Sequence, residues 1–338
     1  MKYIKHKVEC PICEGKAFLK FEQKSVPFRK ENFQIYSHFY KCEKCNEEFT
    51  TTEIDNLNIT QVYNQYRERH NIPTSEQIKL IRKRYNISAV KMSLILGIGQ
   101  NQYGLYESGE IPNESNSQLI SLITNPKVFK EHLLKRKSIL QPKEFEKILH
   151  KIELAISDYD ESSYSLTNRY FDPFISPSEF TGFKFASFKK FANMILFFLN
   201  DAFLVTRLNK YLFYADFLNY KSTGYSISGY NYAAIPLGPV PQDYKTIYNI
   251  VEENNFITTE TYDYGIDFTE KFTLLKNFDS SIFTENELNT LQKVKVKFAN
   301  LKTKEIIEMS HKEIGWKENV ESKNLISYQK YAFRLKGF

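Results

Sequence analysis

Two stretches near the start of the chain alternate between apolar and polar positions. Residues 16–22 carry Phe18 and Phe21, and residues 32–40 carry Phe33, Ile35 and Phe39, which predicts the two strands of a hairpin. From Thr74 the period becomes helical. Thr74 or Ser75 can cap a segment with Ile78, Leu80, Ile81 and Tyr85, and Ser88 caps a second helix that Gly97 stops. A short helix from Gln100 ends at Gly109, and Leu119, Ile120, Leu122 and Ile123 form a further stripe. Pro142 opens a longer helix, residues 143–156, with Phe145, Ile148, Leu149 and Ile152 on one face. Residues 157–177 are polar and turn-rich and form the best domain boundary. Helical segments resume at 188–199 and 206–218, followed by a loop at 224–241 with three prolines in its last six residues. Tyr244, Ile247, Tyr248 and Val251 make another helical stripe, and 256–275 alternate around Tyr264-Gly265, a predicted β-hairpin. Thr284 and Glu287 form a capping box, and Thr303 is predicted to cap one more helix ending near His311.

Charge divides the chain further. Its 338 residues hold 46 Lys+Arg and 40 Asp+Glu, yet residues 1–137 alone account for 22 and 15 of these, and the rest is near neutral. All four cysteines fall within the first 45 residues. A composition of 42% apolar and 25% charged residues fits a soluble globular protein. No apolar run approaches the ~18 residues of a membrane span, and the first residues lack a secretory h-region. We therefore expect a cytoplasmic protein, where cysteines serve more often as ligands than as disulfides.

Cys10-Pro-Ile-Cys13 and Cys42-Glu-Lys-Cys45 are two C-x-x-C knuckles. Such pairs let four thiolates converge on one tetrahedral ion, for which zinc is the usual occupant. The 28 residues between them exceed the common spacing, and the hairpin accounts for the excess. A redox dithiol needs only one pair on a βαβ frame, which the pattern lacks. A unit of this size cannot bury enough surface to fold alone, so structural Zn2+ is expected to supply stability.

The next 78 residues, 60–137, hold 12 basic and 6 acidic side chains, a balance suited to phosphate contacts. Two short helices joined by a tight turn, followed by Tyr106-Glu-Ser-Gly-Glu-Ile-Pro112, resemble a helix-turn-helix of the Cro/repressor class. That resemblance places Ser93 at the small packing position and Gly97 in the turn, with Gln100, Asn101 and Gln102 at the start of the recognition helix. It makes Ser88 a further candidate DNA contact and puts Leu105 where a thymine methyl is within reach, while Tyr103 and Tyr106 fall at core positions. The bland alternative is a helical bundle with a solvated basic face. Zinc knuckles followed by this module resemble the MqsA-type antitoxins over residues 8–135. The resemblance implies promoter DNA as a ligand and a homodimer as the binding form.

Further on, Leu208-Asn-Lys-Tyr-Leu-Phe-Tyr-Ala-Asp-Phe217, then Gly224, Ser228-Gly229, Tyr232 and Gly238-Pro239-Val240, resemble the Panacea, or SocA-like, antitoxin domain. The likeness runs over residues 182–335 and includes the segment ending in Trp316. It implies a module that neutralises a cognate protein toxin, with Lys210, Tyr214, Asp216, Tyr230, Tyr232 and Pro239 as candidate contacts. The tyrosines around the Pro/Gly-rich loop suit a rigid interface, and they suit equally well the closing of the domain's own core.

The expected fold is multidomain and mainly α. It has a small β zinc-knuckle domain at 1–58, a helix-turn-helix domain at 59–137, a helix and linker at 138–181, and a mostly helical Panacea-like domain with a small β-hairpin at 182–338. No phosphate loop, nucleophile elbow or H-E-x-x-H is present, and the six histidines are scattered, so no enzyme is expected. His311, Glu308, Glu313 and Trp316 read as a capped surface helix. The function expected is that of an antitoxin that binds its toxin directly and represses its own operon. The rivals are a stand-alone transcription regulator with a sensing or dimerising C-terminal domain, and a protease adaptor.

Overall fold

The computed structural model describes residues 4–162, 165–172, 176–199, 204–263 and 268–338. It is mostly helical and divides into two compact units, the first built from both ends of the chain (Met1–Gln65 with Pro177–Phe338) and the second from Tyr66–Ser176. Of the described helices, none is long and apolar enough to cross a membrane.

The first unit begins with an antiparallel sheet in the order β1 (Lys7–Glu9), β2 (Lys16–Phe28), β3 (Glu31–Cys42) and β4 (Glu48–Phe49). The β2–β3 register runs from Ala17 opposite Cys42 to Phe28 opposite Glu31. Both strands exceed the predicted 16–22 and 32–40. The first part of the extra length of β2 (Gln23, Lys24, Ser25) is exposed and polar, so it lacks the burial contrast from which alternation is read. Arg29 and Lys30 make the turn, both at positive φ as a two-residue primed turn requires.

Helix α1 (Thr52–Arg69) lies beyond the sheet, and sequence pattern does not reveal it. Its buried face mixes Ile54, Leu57 and Val62 with Gln61 and Asn64. Asn58 and Gln61 each give and take hydrogen bonds with the main chain of His38 and Tyr36, at 2.8 to 2.9 Å. Gln65 donates to the Gln34 carbonyl at 3.0 Å. Three amide side chains on one helix face thus pair with alternate residues of β3 and close an edge that would otherwise expose its backbone groups.

The second unit consists of α2 (Ser75–Arg84), α3 (Ala89–Leu96), α4 (Gln102–Glu107), α5 (Glu114–Leu122), α6 (Pro126–Lys135), α7 (Pro142–Ser162) and α8 (Leu166–Tyr170). Thr74 caps α2 in a full capping box with Gln77, and Ser88 caps α3 by accepting the Lys91 N–H at 3.3 Å. Ile78, Ile81, Tyr85, Met92, Ile95, Tyr103, Tyr106, Phe129 and the α7 stripe of Phe145, Ile148 and Ile152 share one core.

The C-terminal part of the first unit holds α9 (Phe188–Phe198), α10 (Val205–Thr223), the hairpin β5 (Tyr232–Ile235) and β6 (Gly238–Pro241), and α11 (Tyr244–Glu253). It continues with the hairpin β7 (Ile257–Asp263) and β8 (Phe268–Leu274), α12 (Glu285–Phe298), α13 (Thr303–Ser310), α14 (Ile314–Lys317) and α15 (Tyr328–Tyr331). The predicted Tyr264-Gly265 turn lies outside the described residues. Lys302, not Thr303, occupies the cap position of α13, because Glu305 reaches back to the Lys302 N–H at 2.6 Å. Helix α10 is central and buried from Leu208 through Phe217. Around it Phe217 stacks on Tyr328 at 4.0 Å, and Tyr220 meets both Tyr328 and Phe333.

The sheet and α1 pack directly on this C-terminal part. The Tyr36 and His38 rings lie 5.3 and 4.9 Å from Phe333, Gln329 donates to Gln61 at 3.2 Å, and Asn64 donates to the Gly224 carbonyl at 3.0 Å. The four consecutive segments expected from sequence are therefore arranged as two bodies, the cysteine module sharing one with the C-terminal domain.

Candidate functional sites

The two knuckles come together at the base of the β-sheet. The Sγ atoms of Cys10, Cys13, Cys42 and Cys45 all lie within 4.8 Å of one another, with close pairs at 3.4, 3.5 and 3.6 Å. Four sulfurs about 2.3 Å from one zinc would stand ~3.8 Å apart at tetrahedral angles, so the set fits such an ion. Both knuckles fold alike. Glu14 and Asn46, each following the second cysteine, take positive φ and return their N–H groups to the Cys10 and Cys42 carbonyls. The Ile12 and Lys44 N–H groups approach Cys10 and Cys42 Sγ at 3.5 and 3.4 Å. Backbone N–H groups, chiefly that of Cys45, hold the Cys42 thiol down to about 6, whereas at Cys45 a backbone N–H from Glu47 is outweighed by the surrounding sulfurs, which push that thiol up to about 12. Gly15 closes the cradle: a Cβ there would meet Lys44 Cβ at 2.9 Å and two ligand sulfurs at 3.2 Å. This site can hold a metal ion in a closed four-sulfur shell.

In the second unit, α3 ends at Gly97 (φ +71°), and α4 starts at Gln102, so Gln100 and Asn101 lie in the connecting turn and not in the helix. Asn101 takes φ +62° there without capping through its side chain. The buried Ser93 Oγ accepts the Tyr103 N–H at 2.9 Å and the Tyr103 hydroxyl donates to the Ile78 carbonyl at 2.8 Å, which locks α4 against α3 and α2. Glu107 grips Arg82 with both oxygens, at 2.6 and 3.1 Å. Tyr103 and Tyr106 are core residues, as their spacing predicts. Ser88, Gln100, Asn101 and Leu105 are exposed, while Gln102 is half-buried and donates to Glu110 at 3.2 Å. Arg136 has its guanidinium against Gly97.

The residues that carry the Panacea resemblance form a buried cradle. Asp216 is fully enclosed, and its two oxygens accept the Ile227 and Ser228 N–H groups at 2.7 and 2.8 Å and the Ser228 and Tyr232 hydroxyls at 2.6 and 2.8 Å. Burial pushes its carboxyl upward, and these four donors pull it back. Six residues earlier, Lys210 donates to the Pro239 carbonyl at 3.0 Å. Asp216 and Lys210 do not pair; each fixes a different part of the 224–241 loop to α10. Gly238 sits at φ +99°, and a Cβ there would meet Lys210 Cε and Ser310 Oγ at 2.5 Å, so only glycine fits.

Tyr214 donates to Glu313 at 2.9 Å, and Glu313 accepts the Lys336 and Gly337 N–H groups at 3.0 Å each. Glu313 is therefore buried and structural, which corrects its reading as part of a surface helix; His311 of the same group stacks on Trp316 at 4.0 Å. Lys210, Tyr214, Asp216, Tyr230, Tyr232 and Pro239 are all buried. As placed, they shape the loop from within and present no side chain to an outside partner. What the loop does expose is Leu237, 57% accessible at the tip of β5–β6. Sequence reasoning passed over it because a lone apolar loop residue carries no signal until its accessibility is known.

Burial draws the Lys210 ammonium down to about 7 from its usual 10.5. A folded-state value below the unfolded one penalises folding wherever the unfolded chain is protonated. Stability should thus rise as pH climbs from about 7 toward 10.5, by at most about 1.4 kcal/mol per pH unit from this group. Urea midpoints across that range should slope less for Lys210→Met than for the wild type. Parallel slopes would show that Lys210 keeps its ordinary value.

A buried lysine and aspartate on the central helix thus anchor the Gly-Pro hairpin of the C-terminal part. The family model of the antitoxin SocA-like Panacea domain matches residues 208–317, from α10 through α14. That match supports an antitoxin role and, with it, a partner toxin. No curated protein and no solved structure matches the chain.

Proposed function

We propose that the protein neutralises a cognate toxin by direct binding through its C-terminal domain and represses its own operon through the 66–176 unit. The match of the Panacea model to residues 208–317 carries the first half. In this reading the cradle of Lys210 and Asp216 pre-organises the loop, so that Leu237 meets the toxin without an ordering cost. The gene beside this one should encode a product that is toxic alone and tolerated when the two are made together. Leu237→Glu should lose protection while melting at the wild-type temperature. Full protection by that variant would remove the loop tip from the interface, and a neighbour harmless by itself would remove the antitoxin reading.

The DNA-binding half is supported by the locked α3–α4 pair and by the exposed Ser88, Gln100, Asn101 and Leu105 beside it. Amide side chains there suit adenine edges in the major groove, and a homodimer would read two half-sites. Replacing Gln100 and Gln102 with Ala should cost about 1–3 kcal/mol per lost base contact in promoter binding and leave neutralisation intact. An unchanged footprint would count against the recognition assignment. Zinc in the four-cysteine site completes the proposal, with a structural role, since a closed shell leaves no position for a substrate.

A further inference from the structure

We infer a second nucleic-acid contact on the 66–176 unit: a lysine row on α7 that grips the phosphate backbone of duplex DNA beside the first turn of α3. The inference rests on the DNA-binding reading of this unit and extends it to residues outside the α3–α4 pair.

Lys143, Lys147 and Lys151 recur at every fourth position of α7 and so share one face, about 6 Å apart along the axis. They line an open groove of about 370 Å³ whose other wall is Asn86, Ile87, Ser88 and Lys91, at the start of α3. The charged groups facing it are four lysines and one acid, Glu144, which pairs with Lys91. Lys151 donates to the Asn86 carbonyl at 2.6 Å, which ties α7 to the entry of α3. Lys143 and Lys147 are exposed, with no ion pair among the described residues.

An excess of cations on one ladder repels metal ions and small cations and attracts a polyanion with regularly spaced charges. The ladder is continuous with Ser88, already placed on the DNA side, so a strand reaching Ser88 passes the lysines. The three α7 lysines fall in residues 138–181, which read from sequence as helix and linker. Only the packing of α7 on α3 brings them to the interface.

The test uses the full chain and a labelled mixed-sequence duplex of about 24 base pairs, titrated between about 50 and 200 mM salt. Lys143→Gln with Lys147→Gln should lower the slope of log K against log salt by about two and weaken binding roughly tenfold at about 100 mM. Both positions are exposed, so the melting temperature should not move. Lys304→Gln with Lys312→Gln removes the same charge from the other unit and should leave the slope unchanged. A wild-type slope in the α7 variant, with Gln100→Ala still weakening promoter binding, would overturn the ladder alone. Absence of duplex binding by the wild type would overturn the DNA-binding reading and the ladder with it.

Discussion

Chelation in reducing buffer should unfold the four-stranded sheet outright and lower the stability of the C-terminal domain with it. The apolar cluster around the cysteines is small: Cys10, Ala17, Tyr40, Cys42 and Ile54, with a few half-buried neighbours. Such a cluster cannot offset the conformational entropy of about fifty residues, whereas binding of structural zinc by four thiolates contributes an apparent ~10–16 kcal/mol. The loss should spread, because Tyr36 and His38 of β3 pack on Phe333, and Gln61 of α1 is bonded to Gln329, which accepts the Tyr220 hydroxyl at 2.5 Å. Thermal melting followed by circular dichroism, with metal content measured in parallel, checks this. Cys10→Ser or Cys42→Ser should reproduce the chelated state. Native protein without stoichiometric zinc, or melting indifferent to chelator, would sink the assignment. Loss of the sheet with an unaltered C-terminal transition would instead show that the two parts of the first unit are energetically separate.

Asp216→Ala should be the most damaging single change in the C-terminal domain. It leaves two backbone N–H groups and the Ser228 and Tyr232 hydroxyls buried with no acceptor, and removing one member of such a buried charged network costs about 3–5 kcal/mol. Asp216→Asn should recover little, since one side of the amide would present donors where donors already point. Urea unfolding of the three proteins would measure the difference. A cost under about 1 kcal/mol for the alanine variant would mean that the loop finds other partners. Because Leu237 sits on that loop, neutralisation should fall in step with stability in both variants.

How much of this was legible beforehand depends on how local each signal is. Caps such as Thr74 on α2 and the Thr284–Glu287 box act within one turn, and the structure has both. The cysteine spacing brings four candidate ligands together, and Tyr103 and Tyr106 follow helical period into the core. Helix α1 was missed because its few buried apolar residues, Ile54, Leu57 and Val62, are interleaved with Gln61 and Asn64, side chains that normally face water. Their amides are inward because an open strand edge and the Gly224 carbonyl need donors and acceptors there, and no periodicity of hydrophobic residues records that need.

The sequence by itself determined the local pieces: the paired knuckles, the capped helices, the Gly-Pro loop and the buried tyrosines of the second unit. Each follows from residues close together in the chain, whose conformational preferences act without a partner. Only the tertiary structure decided which pieces share a body. It joined the cysteine module to the C-terminal domain, set α7 lysines beside Ser88, and turned Lys210, Asp216 and Tyr232 inward, leaving Leu237 exposed. Burial and hydrogen-bond satisfaction are properties of the packed whole. The same lysine or aspartate reads as a contact residue or as an internal brace until its surroundings are known.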